Sequence, residues 1–160
     1  MRLSLDINSD FRCIHCHNFV STEALLAGVK NRNHCPYCLW SRHLDWFQAG
    51  DRLSACKAPM RPVGLTMKRS HNKYATSSSG ELMLVHRCVD CESLSINRIA
   101  ADDVPEVILE VFGEGNTLSQ EIKDQIWMNG INLLGRADID LVYRQLYGQL
   151  SPTISVLFTN

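Results

Sequence analysis

The sequence predicts a small α+β protein: a module of short antiparallel strands and loops, followed by a helical C-terminal extension. Three observations carry that expectation. Cys-x-x-Cys pairs stand at Cys13/Cys16, Cys35/Cys38 and Cys88/Cys91, in segments rich in turn formers and without helical periodicity. Past residue 103 the cysteines stop and apolar residues recur at helical spacing. The charge also changes sign: residues 1–100 carry thirteen Lys/Arg against eight Asp/Glu, and residues 101–160 carry three against nine. A boundary near Ala101–Pro105 follows, dividing residues 1–103 from residues 104–160.

Taken in chain order, Phe11–Arg12 reads as a short strand running into a turn at Cys13. Residues 21–27, Ser-Thr-Glu-Ala-Leu-Leu-Ala, read as a turn of helix. Residues 31–40 form the second turn, stiffened by Pro36. Residues 67–80 are polar and contain Ser77-Ser-Ser-Gly80, which predicts a mobile hairpin loop. Residues 81–88 are an apolar run of strand length entering the third turn. In the extension, Asp103 is positioned to cap a helix that starts near Pro105 and stops before Gly113-Glu-Gly115. Thr117-Leu-Ser-Gln120 matches a capping box, with Leu118, Ile122 and Ile126 following and Gly130 as a stop. Asp138 is placed to cap a last helix with Ile139, Val142, Tyr143 and Leu146 on one stripe and Gly148 ending it. The tail Ser155-Val-Leu-Phe158 is apolar and must pack or bind.

Two residues between cysteines let a tight turn aim both sulfurs at one tetrahedral metal, and two such turns complete a closed structural zinc site. Cys13, Cys16, Cys35 and Cys38 make the simplest first site, with a separation ordinary for zinc ribbons. Cys88, Cys91 and the lone Cys56 supply three ligands of a second, and the three Cys-x-x-Cys turns can also combine in other pairings. Its fourth ligand is His43, with His86 as the alternative, since His86 shares a strand face with Cys88. Two zinc ions are therefore expected. His15, His17, His34 and His71 read as groups outside the first coordination shell. Seven cysteines, six of them in close pairs, suit neither a disulfide framework nor a thioredoxin-like centre. The amino terminus does not read as a secretory signal, and no apolar run is long enough to span a bilayer. The expectation is an intracellular, by default cytoplasmic, protein without a membrane partner or a small-molecule substrate.

The run Arg32-Asn33-His34-Cys35-Pro36 resembles the signature of the RNHCP domain family. The likeness continues through Phe11-x-Cys13-x-x-Cys16, Cys38-Leu39-x-Ser41-x-His43-x-Asp45, Gly50-Asp51-Arg52-x-x-x-Cys56, Met60-x-Pro62, His86-x-Cys88-x-x-Cys91 and Asn97-Arg98. It covers roughly residues 11–103 and implies a zinc-binding domain without a defined biochemical role. The chain departs from the family pattern where glycines are expected: His17, Glu92 and Ala58 stand there instead. Each such glycine would permit a left-handed turn.

Three functions compete. The first is a non-enzymatic module contacting RNA or a ribonucleoprotein. Arg12, Arg32, Arg42, Arg61, Lys68, Arg69, Lys73, Arg87 and Arg98 are candidates for phosphates, and Trp40, Trp46 and Tyr74 for bases. Arg32 and Arg52, beside metal turns, can alternatively serve the thiolates. The second is a protein-interaction adaptor that docks through residues 104–160. The third, a metal-dependent hydrolase, would use Asp45, Asp51, Asp102 and Asp103 with nearby histidines. No nucleophile elbow, phosphate loop or metalloprotease helix supports it, and no enzyme activity is expected.

Overall fold

A computed structural model describes residues 9–48, 50–69 and 80–152. The chain begins with a small hairpin of β1 (Phe11–Arg12) and β2 (Phe19–Val20), then one turn of helix, α1 (Ala24–Ala27). A four-stranded antiparallel sheet follows, in the order β3 (Ser41–Arg42), β4 (Pro59–Arg69), β5 (Gly80–Cys88), β6 (Leu94–Arg98). Three helices complete it: α2 (Pro105–Asn116), α3 (Gln120–Met128) and α4 (Ile139–Tyr147). Among the described residues, no helix is long and apolar enough to cross a membrane.

The longest strand, β4, lies where proline and glycine argue against a central strand. Pro59 opens it, and the register with β5 shifts between Pro62 and Gly64. A bulge of this kind absorbs residues that a regular ladder would reject. The loop expected over residues 67–80 is strand as far as Arg69 and again from Gly80. The part between, with Lys73 and Tyr74, lies outside the described residues, as does the apolar tail at 155–158.

The helices share a core with the sheet. Ile108, Val111 and Phe112 of α2 and Val142 of α4 pack with Leu39, Leu65, Leu82 and Leu84. Ile126 of α3 packs with Val63 and Val85. α2 does not stop at Gly113 but runs through both glycines to Asn116. Gly115 is there for contact: a Cβ on it would lie 3.2 Å from Gly64 Cα and from the Val63 carbonyl oxygen. Each buried Ile, Val or Phe contributes about 1.5–3 kcal/mol. Three of them outweigh the roughly 1 kcal/mol that each glycine costs a helix.

The caps also differ from the expected ones. Ser119, not Thr117, caps α3, accepting from the Ile122 N–H at 3.4 Å. Thr117 instead donates to the Glu114 carbonyl at the end of α2. Asp138 precedes α4 but accepts from the Gly135 N–H. Asp103 does not cap α2; Val104 holds that position, and the Asp103 carboxylate is buried elsewhere.

Candidate metal centres

The three Cys-x-x-Cys turns share one backbone design. The first cysteine's N–H donates to the carbonyl five residues on: Cys13 to Asn18 (2.9 Å), Cys35 to Trp40 (3.0 Å), Cys88 to Ser93 (2.8 Å). The residue after each second cysteine is left-handed: His17 at φ 62°, Leu39 at 60°, Glu92 at 62°. Two of these are positions where a family glycine is replaced. The third replacement is different. The left-handed residue near the lone cysteine is Lys57 (φ 52°), immediately after Cys56, and Ala58 is not left-handed.

The turns bring the cysteines into two groups. The donor atoms of Cys13, Cys16, Cys35 and Cys38 all lie within 4.8 Å of one another. The Cys13–Cys38 and Cys16–Cys35 sulfur separations are 3.5 Å. His43, Cys56, Cys88 and Cys91 form the second group within the same limit. Cys56 and Cys88 sulfurs are 3.7 Å apart there, and Cys91 Sγ is 3.2 Å from His43 Nδ1. A disulfide needs about 2.05 Å, so none of these pairs is bonded. Each cluster can bind a metal ion.

Amide groups turn toward the sulfurs, as thiolates require. The N–H groups of His15 and Cys16 point at Cys13 Sγ, both at 3.4 Å, and Asn18 Nδ2 at Cys16 Sγ, also at 3.4 Å. The hydrogen bond with Cys38 is the main cause that brings the Cys35 thiol down to about 5, and the same bond pushes Cys38 up. Burial raises the Cys13 and Cys88 thiols. At Cys91 burial works upward as well. The hydrogen bonds with Ser93, and those with Cys88 and Cys56, overcome it and bring the thiol to about 6.

His86 stands apart from both clusters. Its Nε2–H donates to the Leu39 carbonyl at 2.7 Å, and its Nδ1 accepts from Asn97 Nδ2 at 2.8 Å. Both ring nitrogens are engaged, and the ring is fully buried. Desolvation, aided by the neighbouring His34, brings its pKa down to about 3, so it is neutral. A polar role in the core replaces the alternative ligand role.

His34 is likewise buried rather than at the surface. It is bonded through Nε2 to Asp103 Oδ2 at 2.8 Å. Arg32, only 2% exposed, donates through Nη1 to both Asp102 oxygens at 2.7 Å, through Nη2 to Asp103 Oδ1 at 3.1 Å, and through Nε to the His34 carbonyl at 3.1 Å. The Arg-x-His run before Cys35 is therefore a buried clamp that fixes the first metal centre to the start of α2. Its guanidinium has no face left for a phosphate. Arg52 bonds Asp45 and the Arg32 carbonyl, not a thiolate. The sequence signal for this clamp was the pair Asp102-Asp103, which also suits a helix start.

Of the remaining basic candidates among the described residues, Arg61 pairs with Glu114, half-buried Arg87 with Glu92 and Arg98 with Glu81. Arg12, Arg42, Lys68 and Arg69 are exposed. Trp40 is half-buried and stacks on His15, with centroids 4.2 Å apart and planes 2° from parallel. Trp46 is 65% exposed and stacks instead on Phe47, 76% exposed, a residue that sequence reasoning passed over.

The profile of the RNHCP domain matches residues 8–109. The chain belongs to the RNHCP domain family. The match reaches into α2, so this RNHCP domain includes the Arg32–Asp103 clamp. No curated protein matches the chain, and no solved structure does.

Proposed function

We propose that this RNHCP protein is a non-enzymatic binding module, stabilised by two zinc ions, whose partner is RNA or a ribonucleoprotein. The observation that carries the structural role is that each cluster offers four protein ligands. Four ligands leave a tetrahedral ion no open position for water, which a catalytic zinc requires. Zinc suits the donors: Zn–S bonds of about 2.3 Å at tetrahedral angles place sulfurs about 3.8 Å apart, close to the 3.5–3.7 Å separations seen. Sulfur and imidazole also favour zinc over harder cations.

The carboxylates that a hydrolase would need have other work. Asp102 and Asp103 hold Arg32. Asp45 and Asp51 accept backbone N–H groups of the 45–53 loop. The nucleic-acid reading draws support from the exposed cations and from the Trp46–Phe47 stack. One observation favours the adaptor reading instead: Trp127 and Met128 of α3 are 66% and 83% exposed.

Native mass spectrometry of the purified protein tests both halves. Two zinc ions per chain and RNA retained through a salt wash are expected. One ion or none would refute the two-site reading. Loss of all nucleic acid, with a protein partner that Trp127→Ala and Met128→Ala release, would replace RNA with the adaptor reading. Deleting residues 104–160 would not be a clean test, because it strips Ile108, Val111, Phe112 and Val142 from the core.

A further inference from the structure

A cleft of about 1020 Å³ opens between residues 28–34, residues 42–48 and strand β6. We infer that it binds unpaired nucleotides of a single-stranded nucleic acid, with a base stacking on the Trp46–Phe47 pair and phosphates meeting Lys30, Arg42, Lys68 and Arg98. This rests on the nucleic-acid reading above and gives it a location.

Charge is the first argument. Those four cations line the cleft. Among the described lining residues the one carboxylate is Asp45, and it already accepts the N–H groups of Gly50 (2.8 Å) and Arg52 (3.1 Å). Arg42 rests its Nε on the Lys57 carbonyl at 3.2 Å and remains exposed. Arg98 is paired with Glu81, but both partners are exposed, and a pair of that kind is readily exchanged for a phosphate.

The second argument is the aromatic pair. Trp46 and Phe47 lie with centroids 4.8 Å apart and planes 11° from parallel. Stacked on each other, they still present a broad aromatic surface to solvent. Such a surface prolongs naturally into stacking with a base, whereas an acidic peptide would use the cations alone.

The third argument is preorganisation. The Asp51 carboxylate accepts from the N–H groups of Trp46 (2.8 Å), Phe47 (2.7 Å), Gln48 (2.9 Å) and Leu53 (3.0 Å). Desolvation opposes its charge, but these bonds prevail and hold its pKa well below the usual carboxylate value. The loop that carries the rings is thus fixed from within, with His43 of the second metal cluster just before it.

The test uses the full-length, zinc-loaded chain and fluorescence anisotropy. The probes are a short labelled single-stranded RNA, the same sequence as DNA, and the RNA duplex. Single strands should bind more tightly than the duplex. Trp46→Ala and Phe47→Ala should each weaken binding about tenfold, from the loss of base stacking. Replacing Arg42 and Arg98 together should lower the salt dependence by about two phosphate contacts. Arg61→Ala, outside the cleft, should change nothing. Zinc content and melting temperature, unchanged in every variant, verify that folding is not the cause. If single strands bind and none of the cleft variants weakens them, the cleft is wrong and the RNA reading stands. If DNA binds in the cleft and RNA does not, the cleft stands and the RNA reading falls. If neither strand binds to the unmodified chain, both fall.

Discussion

The two metal clusters are built from the same turn, yet they differ in how the chain reaches them. The first uses two complete Cys-x-x-Cys turns and closes within residues 13–38. The second uses one such turn, at the end of β5, and takes Cys56 and His43 from an irregular segment. The first therefore costs little loop-closure entropy, while the second ties residues 43–56 to residues 88–91 across the sheet. The shorter closure favours the first cluster as the earlier of the two to form. The second is a staple on a sheet that has its own apolar core.

The largest effect that would test this contrast is the loss of a buried ligand in the first cluster. Structural zinc in zinc-finger peptides contributes about 10–16 kcal/mol of apparent folding energy, so Cys35→Ser is expected to abolish the folded state. Circular dichroism would read the loss. A cooperative, native-like melt in that variant would break the comparison.

His43→Ala should do less. One zinc ion should be lost, and the β4–β5–α2 core should survive with a lower melting temperature. His86→Ala supplies the contrast: the zinc count should remain two, while removal of a doubly bonded buried group costs about 1–3 kcal/mol. The reverse pattern, one zinc in the His86 variant and two in the His43 variant, would exchange their roles. In a chelator titration followed by mass spectrometry, the second cluster, with exposed Cys91, should empty first.

Next in size is Asp103→Ala. It takes from buried His34 its carboxylate and leaves Arg32 on Asp102 alone, a loss of about 1–3 kcal/mol of stability by denaturant melting. Both zinc ions should still bind. Unaltered stability would mean that the Asp103 carboxylate does not hold His34 and Arg32 in place.

The smallest expected effect is a gain. His17 and Glu92 hold left-handed backbone without being glycine. Replacing each by glycine should stabilise by about 1 kcal/mol, the relief of the Cβ clash less the added freedom of the unfolded chain. Lys57→Gly should behave likewise, and Ala58→Gly should not, since Ala58 is not left-handed.

How much of this was legible in the sequence follows a physical line. The two cysteine-rich clusters were legible because two-residue spacing dictates a turn that aims both sulfurs one way, whereas the choice of His43 over His86 beside Cys56 depended on the fold. The helices after residue 103 were legible from their apolar stripes, but Gly113 and Gly115 read as a stop. The purpose of Gly115 depends on Gly64, which approaches it from a strand about fifty residues earlier, while Gly113 has open space around it. Strand β4 was hidden for a similar reason, because Pro59, Pro62 and Gly64 are tolerated only through a bulge that no local pattern announces. Arg32 looked like a surface cation. Only the fold puts Asp102 and Asp103 beside it. The Trp46–Phe47 platform needed Asp51 to be recognised as an acceptor of backbone N–H groups, a role its type permits but does not announce.

The Arg32 clamp also imposes an order on biosynthesis. Its carboxylate partners lie 70 and 71 residues downstream. At about 5–20 residues per second, they leave the ribosome several seconds after Cys38 has completed the first ligand set. During that interval the nascent chain can hold a metal ion while a guanidinium destined for the interior remains in water. The arrival of Asp102 and Asp103 neutralises it just ahead of α2, so the guanidinium finds its partners before the three C-terminal helices have emerged.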